Sequence, residues 1–209
     1  MIYTIFDIET NGLIEKKRFP EVLEVGYIQV NENLELLRGG SFYFYKPEWK
    51  LRKDAQEKHG LTVEFLEAHE NEYNESLVKL WTFMQHGRLI GKNSDRFDIP
   101  CCKNMFSIPN LGLGMPVIDE SVDIQKVWSP VYRELIQKFT GKVVKNAGTL
   151  EEYVMLLGLK QENIAAKFRE TFPDEARVRE HSALYDAYMT YLVALDAKDR
   201  GILNLEVSR

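Results

Sequence analysis

Asp7 and Glu9 flank a single isoleucine at the end of a β-prone apolar segment, residues 2–9. A strand alternates its faces with period two, so both carboxylates point one way while Ile8 points into the core. Two adjacent anions repel unless a cation lies between them, and a divalent cation with oxygen ligands is the usual solution. The pair also reads as a strand running out into a solvated acidic loop turned by Asn11-Gly12. Asp98 follows Phe97 after a turn-like stretch. It reads as a further ligand or as a helix N-terminal acid favoured by the macrodipole. His181 and Asp186 complete the set. Five residues along a helix separate side chains by about 140°. They share a site only if the helix starts after His181, which leaves the imidazole in a loop that can fold back over Asp186. A histidine so placed suits general-base chemistry at neutral pH. The plainer alternative is a histidine near a cap and a surface aspartate.

The elements that must hold these groups follow from the hydrophobic pattern. Residues 2–9, 22–30 and 41–46 read as strands, with turn chemistry at Asn31-Glu-Asn33 and Arg38-Gly-Gly40, so an antiparallel meander is expected. Residues 73–86 read as a helix with Leu77, Leu80, Trp81 and Met84 on one stripe. A short strand at 88–91, a helix from Asp98 or Ile99 and another short strand at 117–119 follow. Helices are expected at about 149–157, 162–171 and 182–198, the last with Ser182 as N-cap. The Gly-rich stretch 110–116 reads as a loop. Strands first, with helices between and after them, imply an α/β fold, a mixed sheet with helices packed on it.

Composition narrows the classes. The chain has 209 residues and 44% hydrophobic content, enough for one domain with a real core. Its 27 Lys and Arg against 32 Asp and Glu give a net charge of -5, which argues against coating nucleic acid by bulk charge. No apolar run approaches a membrane span, and the N-terminus lacks a signal-peptide pattern. Cys101 and Cys102 are adjacent and make no disulfide framework, so a reducing, cytoplasmic setting is expected.

Phe6-Asp-Ile-Glu-Thr-Asn-Gly-Leu13 resembles the first motif of the DnaQ-like 3′→5′ exonucleases of DEDDh type. Asn93-Ser-Asp-Arg-Phe-Asp98 resembles the second, and His181-Ser-Ala-Leu-Tyr-Asp186 the third. Lys58-His-Gly-Leu-Thr62 resembles an element these enzymes carry between the first two. The resemblance spans essentially the whole chain, and three motifs in order are more specific than any one. The second motif departs from the usual pattern: Lys92 replaces a histidine, and three residues rather than two separate Asn93 from Phe97. Asp98 keeps its phenylalanine, unlike the nearby Asp95, and the place of Asn93 stays open.

The resemblance implies an RNase H-like fold with antiparallel first strands, and one exonuclease domain over residues 1–209. It implies two divalent ions, Mg²⁺ or Mn²⁺. Asp7, Glu9 and Asp186 would hold the ion that activates water. Asp7 would bridge to a second ion in the shell of Asp98, with His181 as general base. Thr10, Leu13, His59 and Phe97 would contact the terminal nucleotides. Clusters at Lys16-Lys17-Arg18 and at Lys46, Lys50, Arg52 and Lys53 read as phosphate contacts or as solvated surface. The expected substrate is a single-stranded 3′ end, DNA ahead of RNA, with release of nucleoside 5′-monophosphates and a polymerase conceivable as partner in trans. An exoribonuclease and a non-catalytic binding module on the same fold are the alternatives.

Overall fold

The computed structural model describes residues 1–16, 18–107 and 112–205. Among these, five strands form one sheet: β1 (Ile2–Thr10), β2 (Val22–Asn31), β3 (Leu36–Tyr43), β4 (Gly87–Gly91) and β5 (Ile118–Asp123), in the order β3-β2-β1-β4-β5. β1 to β3 form an antiparallel meander, and β4 and β5 run parallel to β1. β1 therefore lies at the centre. Its carboxyl end and that of β4 open on the same side, where parallel strands commonly present ligands.

Helices cover both faces. They are α1 (Lys53–His59), α2 (Val63–Glu67), α3 (Tyr73–Met84), α4 (Asp98–Asn104), α5 (Ile124–Thr140), α6 (Leu150–Leu156), α7 (Gln161–Thr171) and α8 (Ala183–Asp199). One core packs Tyr3, Ile5, Ile28 and Val30 of the sheet against Trp128, Tyr153, Phe168 and Val193 of α5 to α8. The other packs Phe6, Ile8, Val25 and Phe42 against Leu77, Leu80 and Met84 of α3 and Ile99, Cys101 and Cys102 of α4. Alternation along β1 thus feeds both cores, as the pleat dictates.

Three expectations need correction. The third strand covers 36–43 rather than 41–46, and Arg38-Gly39-Gly40 lies inside it rather than in a turn. Gly39 is required there because a Cβ would lie 2.7 Å from the Phe172 ring and 2.8 Å from the Tyr27 carbonyl. The fifth strand, Ile118–Asp123, is longer than the expected 117–119. Ser182 takes the N-cap position of α8, but its side chain makes no capping bond. Sequence patterning passed over α1, α2 and α5. α5 carries Pro130 in its interior, a helix-breaking signal, yet Asp123 caps it by accepting from Gln125 N at 3.1 Å. The stretch 110–116 and the run 16–18 fall partly outside the described residues. No helix among the described residues is long and apolar enough to cross a membrane.

Candidate active site

Asp7 and Glu9 stand on the last turns of the β1 pleat and line one pocket of about 510 Å³ together with Asp98, His181 and Asp186. Ile8 is buried in the core behind them. The elements that converge here do so for local reasons. Asp7 pairs in register with Gly26 on β2. A Cβ on Gly26 would lie 2.1 Å from Leu184 N and 2.2 Å from the Ala183 carbonyl carbon. The missing side chain lets the first turn of α8 lie directly on the sheet, and that turn carries Asp186 beside Asp7. Gly91 does the same at the end of β4: a Cβ would meet Ser94 Cβ at 2.6 Å, so the chain can double back at once into α4. Asp98, the first residue of α4, is buried, and the backbone N–H of Ile8 on β1 stabilises its charged form.

His181 lies in the loop before α8 with φ +60. The fold-back over Asp186 is made mainly by the backbone: His181 N donates to Asp186 Oδ2 at 3.3 Å, while the ring Nδ1 stands 4.0 Å from the same oxygen. Glu9, His181 and Asp186 each offer a ligand atom within 4.8 Å of the others. Burial, reinforced by Lys58, lowers the His181 pKa, so its ring is neutral and able to accept a proton at pH 7.

The electrostatics of the carboxylates are lopsided. Burial and the neighbouring acids Asp98, Asp186 and Glu9 push Asp7 well above the ordinary carboxylate range. Burial raises Glu9 to about 8, with Asp186 adding to it. Burial raises Asp98 to about 7. Asp186 rises to about 8 through burial and the charge of Glu151. Asp186 Oδ1 is buried without a hydrogen-bond partner. Four oxygen-donor acids that repel one another fit hard divalent cations, which lower such pKa values and take up free lone pairs.

The remaining expected contacts are distributed as follows. Leu13 is 70% exposed at the pocket mouth, and half-buried Phe97 lines the wall. Thr10 is buried and its hydroxyl donates to Gly12 O at 2.7 Å. His59 also lines the pocket but is buried, and its Nδ1 accepts from Leu61 N at 3.0 Å. That bond places the ring proton on Nε2, which has no protein partner. Burial and nearby Arg177 lower its pKa to about 4. Asp95 lies elsewhere, bonded to Ser121 Oγ and paired with Lys126. Asn93 lines the pocket with φ +58, and its N–H donates to Asp123 Oδ1 at 2.8 Å. Of the expected phosphate clusters, Arg52 is held by Glu15 and Asp54, Lys53 by Glu57, and Lys46 lies over the Tyr73 ring.

Sequence reading missed one arrangement that holds the site. Glu24, on β2 opposite Glu9, is fully buried and pairs with Arg177. It also accepts from Ala183 N at 3.3 Å and Ser41 Oγ at 3.1 Å. Arg177 Nη2 donates to His59 O at 2.6 Å and His181 O at 3.3 Å. One ion pair thereby ties β2, the end of α1, the His181 loop and the start of α8. The only available signals were a charged residue inside an apolar strand and an arginine just upstream of His181.

A family model described as an exonuclease, RNase T, matches residues 4–194. The chain belongs to that exonuclease family. Solved structures agree on the fold. E. coli exonuclease I in complex with a dT13 oligonucleotide superposes with a TM-score of 0.66 at 17% identity, over 95% of this chain and 41% of that one. The zinc-bound form of the E. coli ExoI–ssDNA complex gives 0.67 at 18%, over 95% and 40%. An ExoI/SSB-Ct complex gives 0.66 at 17%, over 95% and 41%. The chain thus spans about two fifths of the length of the structures it matches. No curated protein sequence matches it. The resemblance to DnaQ-like exonucleases and the RNase H-like α/β fold stand on these findings.

Proposed function

We propose that the chain is a metal-dependent 3′→5′ exonuclease that removes nucleoside 5′-monophosphates from single-stranded ends, with DNA the preferred substrate. The observation that carries this reading is the convergence of Asp7, Glu9, Asp98 and Asp186 with a neutral His181 in one pocket. The family model supports exonuclease chemistry, and the oligonucleotide-bound exonuclease I structures support single-stranded DNA.

Asp7, Glu9 and Asp186 would hold one divalent ion, Mg²⁺ or Mn²⁺, with Asp7 and Asp98 holding a second. Such ions supply an activated water and charge stabilisation for the leaving 3′-oxygen. The imidazole of His181 takes a proton from the attacking water, which its neutral state at pH 7 permits. Asp186 Oδ2 restrains the His181 backbone and so fixes where the ring sits. Leu13 and Phe97 present apolar surface at the mouth and wall, suited to stacking or wedging the last bases without reading their sequence. His59 Nε2–H, unpaired and at the pocket, is a donor for an oxygen of the terminal nucleotide.

The test uses 5′-labelled DNA and RNA of one sequence with Mg²⁺, Mn²⁺ or EDTA. A metal-dependent ladder shortening from the 3′ end, faster on DNA, is expected. The same ladder mainly on RNA would make the chain an exoribonuclease. Strand binding with no shortening under any metal would make it a binding module and overturn the proposal.

A further inference from the structure

A second cavity, of about 420 Å³, adjoins the acidic pocket and is lined by Arg96, Lys126, Arg133 and Lys145. The two cavities share Asn93. Their opposite walls are also continuous, because Ala147 lines the second, Thr149 lines the first, and only Gly148 separates them. Together they make one trough, acidic at one end and basic at the other.

Both walls are held by contacts besides the cations, although Arg133 Nε also donates to Asn146 O at 3.3 Å. Asn93 is held with φ +58 by its bond to Asp123. Gly148 has φ +80, and a Cβ there would lie 2.7 Å from the Tyr153 ring and 2.9 Å from that of Tyr132. The wall is therefore pressed against α5 and α6. The charge is equally lopsided. The carboxylate of Asp123 accepts from the backbone N–H groups of Asn93 and Gln125. Lys126 is paired with Asp95. Among the described residues Arg96, Arg133 and Lys145 carry no carboxylate partner. Arg96, Arg133 and Lys145, with the Asp95-paired Lys126, thus outnumber the one lining carboxylate, Asp123, in a chain of net charge -5.

We propose that this trough carries the sugar–phosphate backbone of the single strand on the 5′ side of the 3′ end. The inference rests on the exonuclease reading and adds the course of the strand. An acidic pocket of about 510 Å³ is of the size that encloses a small ligand, roughly 300–1,000 Å³, so a strand whose end sits there must leave it. The continuous cleft is an exit whose charge matches phosphate. Contacts of guanidinium and ammonium groups to phosphate hold the strand in register and read no sequence. The expected phosphate clusters near residues 46–53 are largely spent on neighbouring acids and a ring, which favours the cleft as the track.

The experiment measures equilibrium binding of a fluorescent DNA dodecamer and of a trinucleotide to the full chain in EDTA, across a salt series. It compares wild type, the triple variant R96Q/R133Q/K145Q, the single variants R96Q and K145Q, and K167Q, which removes one exposed charge on α7. The triple variant is expected to weaken dodecamer binding by about tenfold or more at low salt. It should flatten the slope of log affinity against log salt by about 2, near 0.7 per lost phosphate contact. R96Q and K145Q should each flatten it by about 0.7, and the trinucleotide should be affected less. A triple variant no different from K167Q, or an equal loss for both lengths, would overturn the proposal. Because the readout is binding without metal, a failure of 3′ shortening would count against the exonuclease reading and leave the trough result separate. The single variants, exposed at Arg96 and Lys145, keep the test decisive should the triple variant fold poorly.

Discussion

Glu9 and Glu24 face each other across β1 and β2, both buried, yet the protein treats them oppositely. Glu24 is given a guanidinium, a hydroxyl and a backbone N–H. Burial pushes its carboxyl up and Arg177 pulls it back. Glu9 is given other acids: burial and Asp186 raise it to about 8, and burial likewise pushes Asp7, Asp98 and Asp186 above the ordinary carboxylate range. A buried acid compensated by the protein is scaffold, whereas a buried acid left uncompensated is waiting for a ligand. The few ångströms between the two strands separate structural electrostatics from functional electrostatics.

The sharpest break in this comparison is Asp7→Asn. It should lower kcat by about 10³-fold or more, the several kcal/mol of a lost cation site, while the metal-free Tm holds or rises because a repelling acid is gone. Rate measurements beside calorimetric melting check both halves. Arg177→Met should do the reverse and strike the fold. It strands Glu24 as a buried charge at a cost of about 3–5 kcal/mol, and the added change Glu24→Gln should recover much of it; denaturant titrations of the single and double variants read this. His181→Ala should retain cation binding and lose about 10²-fold in kcat near pH 7, as expected for removal of a general base. Activity within twofold of wild type would dismiss that role.

A subtler separation is in pH. Glu9, Asp98 and Asp186 have folded pKa values of about 8, 7 and 8, above their unfolded values. Their contribution to stability is fully present below about pH 4 and is lost as pH rises through 7 and 8. In EDTA the Tm should therefore fall between pH 5.5 and 8.5, and Mg²⁺ or Mn²⁺ should restore it most at the alkaline end. A Tm independent of metal at pH 8.5 would remove the cation from the account. The smallest effect belongs to Asp95→Ala. It breaks a solvent-exposed pair with Lys126 and should leave the Tm little changed, with activity near wild type, in contrast to severe impairment in Asp98→Ala.

The legibility of the molecule in its sequence divides along the same line. β1, β2, α3 and α8 were readable because each is a β-prone apolar run or an apolar helical segment that the fold buries. β3 was displaced because Gly39-Gly40 looks like a turn, whereas close packing of Phe172 demands a glycine in mid-strand. α5 was missed because Pro130 interrupts its signal. Asp7, Glu9, Asp98, His181 and Asp186 were legible through motif resemblance, and the structure places all five in one pocket. The Glu24–Arg177 pair, 153 residues apart, and the cations at 96, 133 and 145 were not legible, since only tertiary folding brings them together. Gly26 was the overlooked clue: a glycine in a buried strand announces a close backbone approach, here that of the helix carrying Asp186.

The central claim is that the uncompensated acids form a cation site and the compensated one does not. Mn²⁺ binding measured by titration calorimetry on wild type, Asp7→Asn, Asp186→Asn and Glu24→Gln tests it most directly. Binding in wild type and Glu24→Gln, with loss in Asp7→Asn and Asp186→Asn, is the predicted result. No binding in wild type, or binding undiminished in both aspartate variants, would contradict the account.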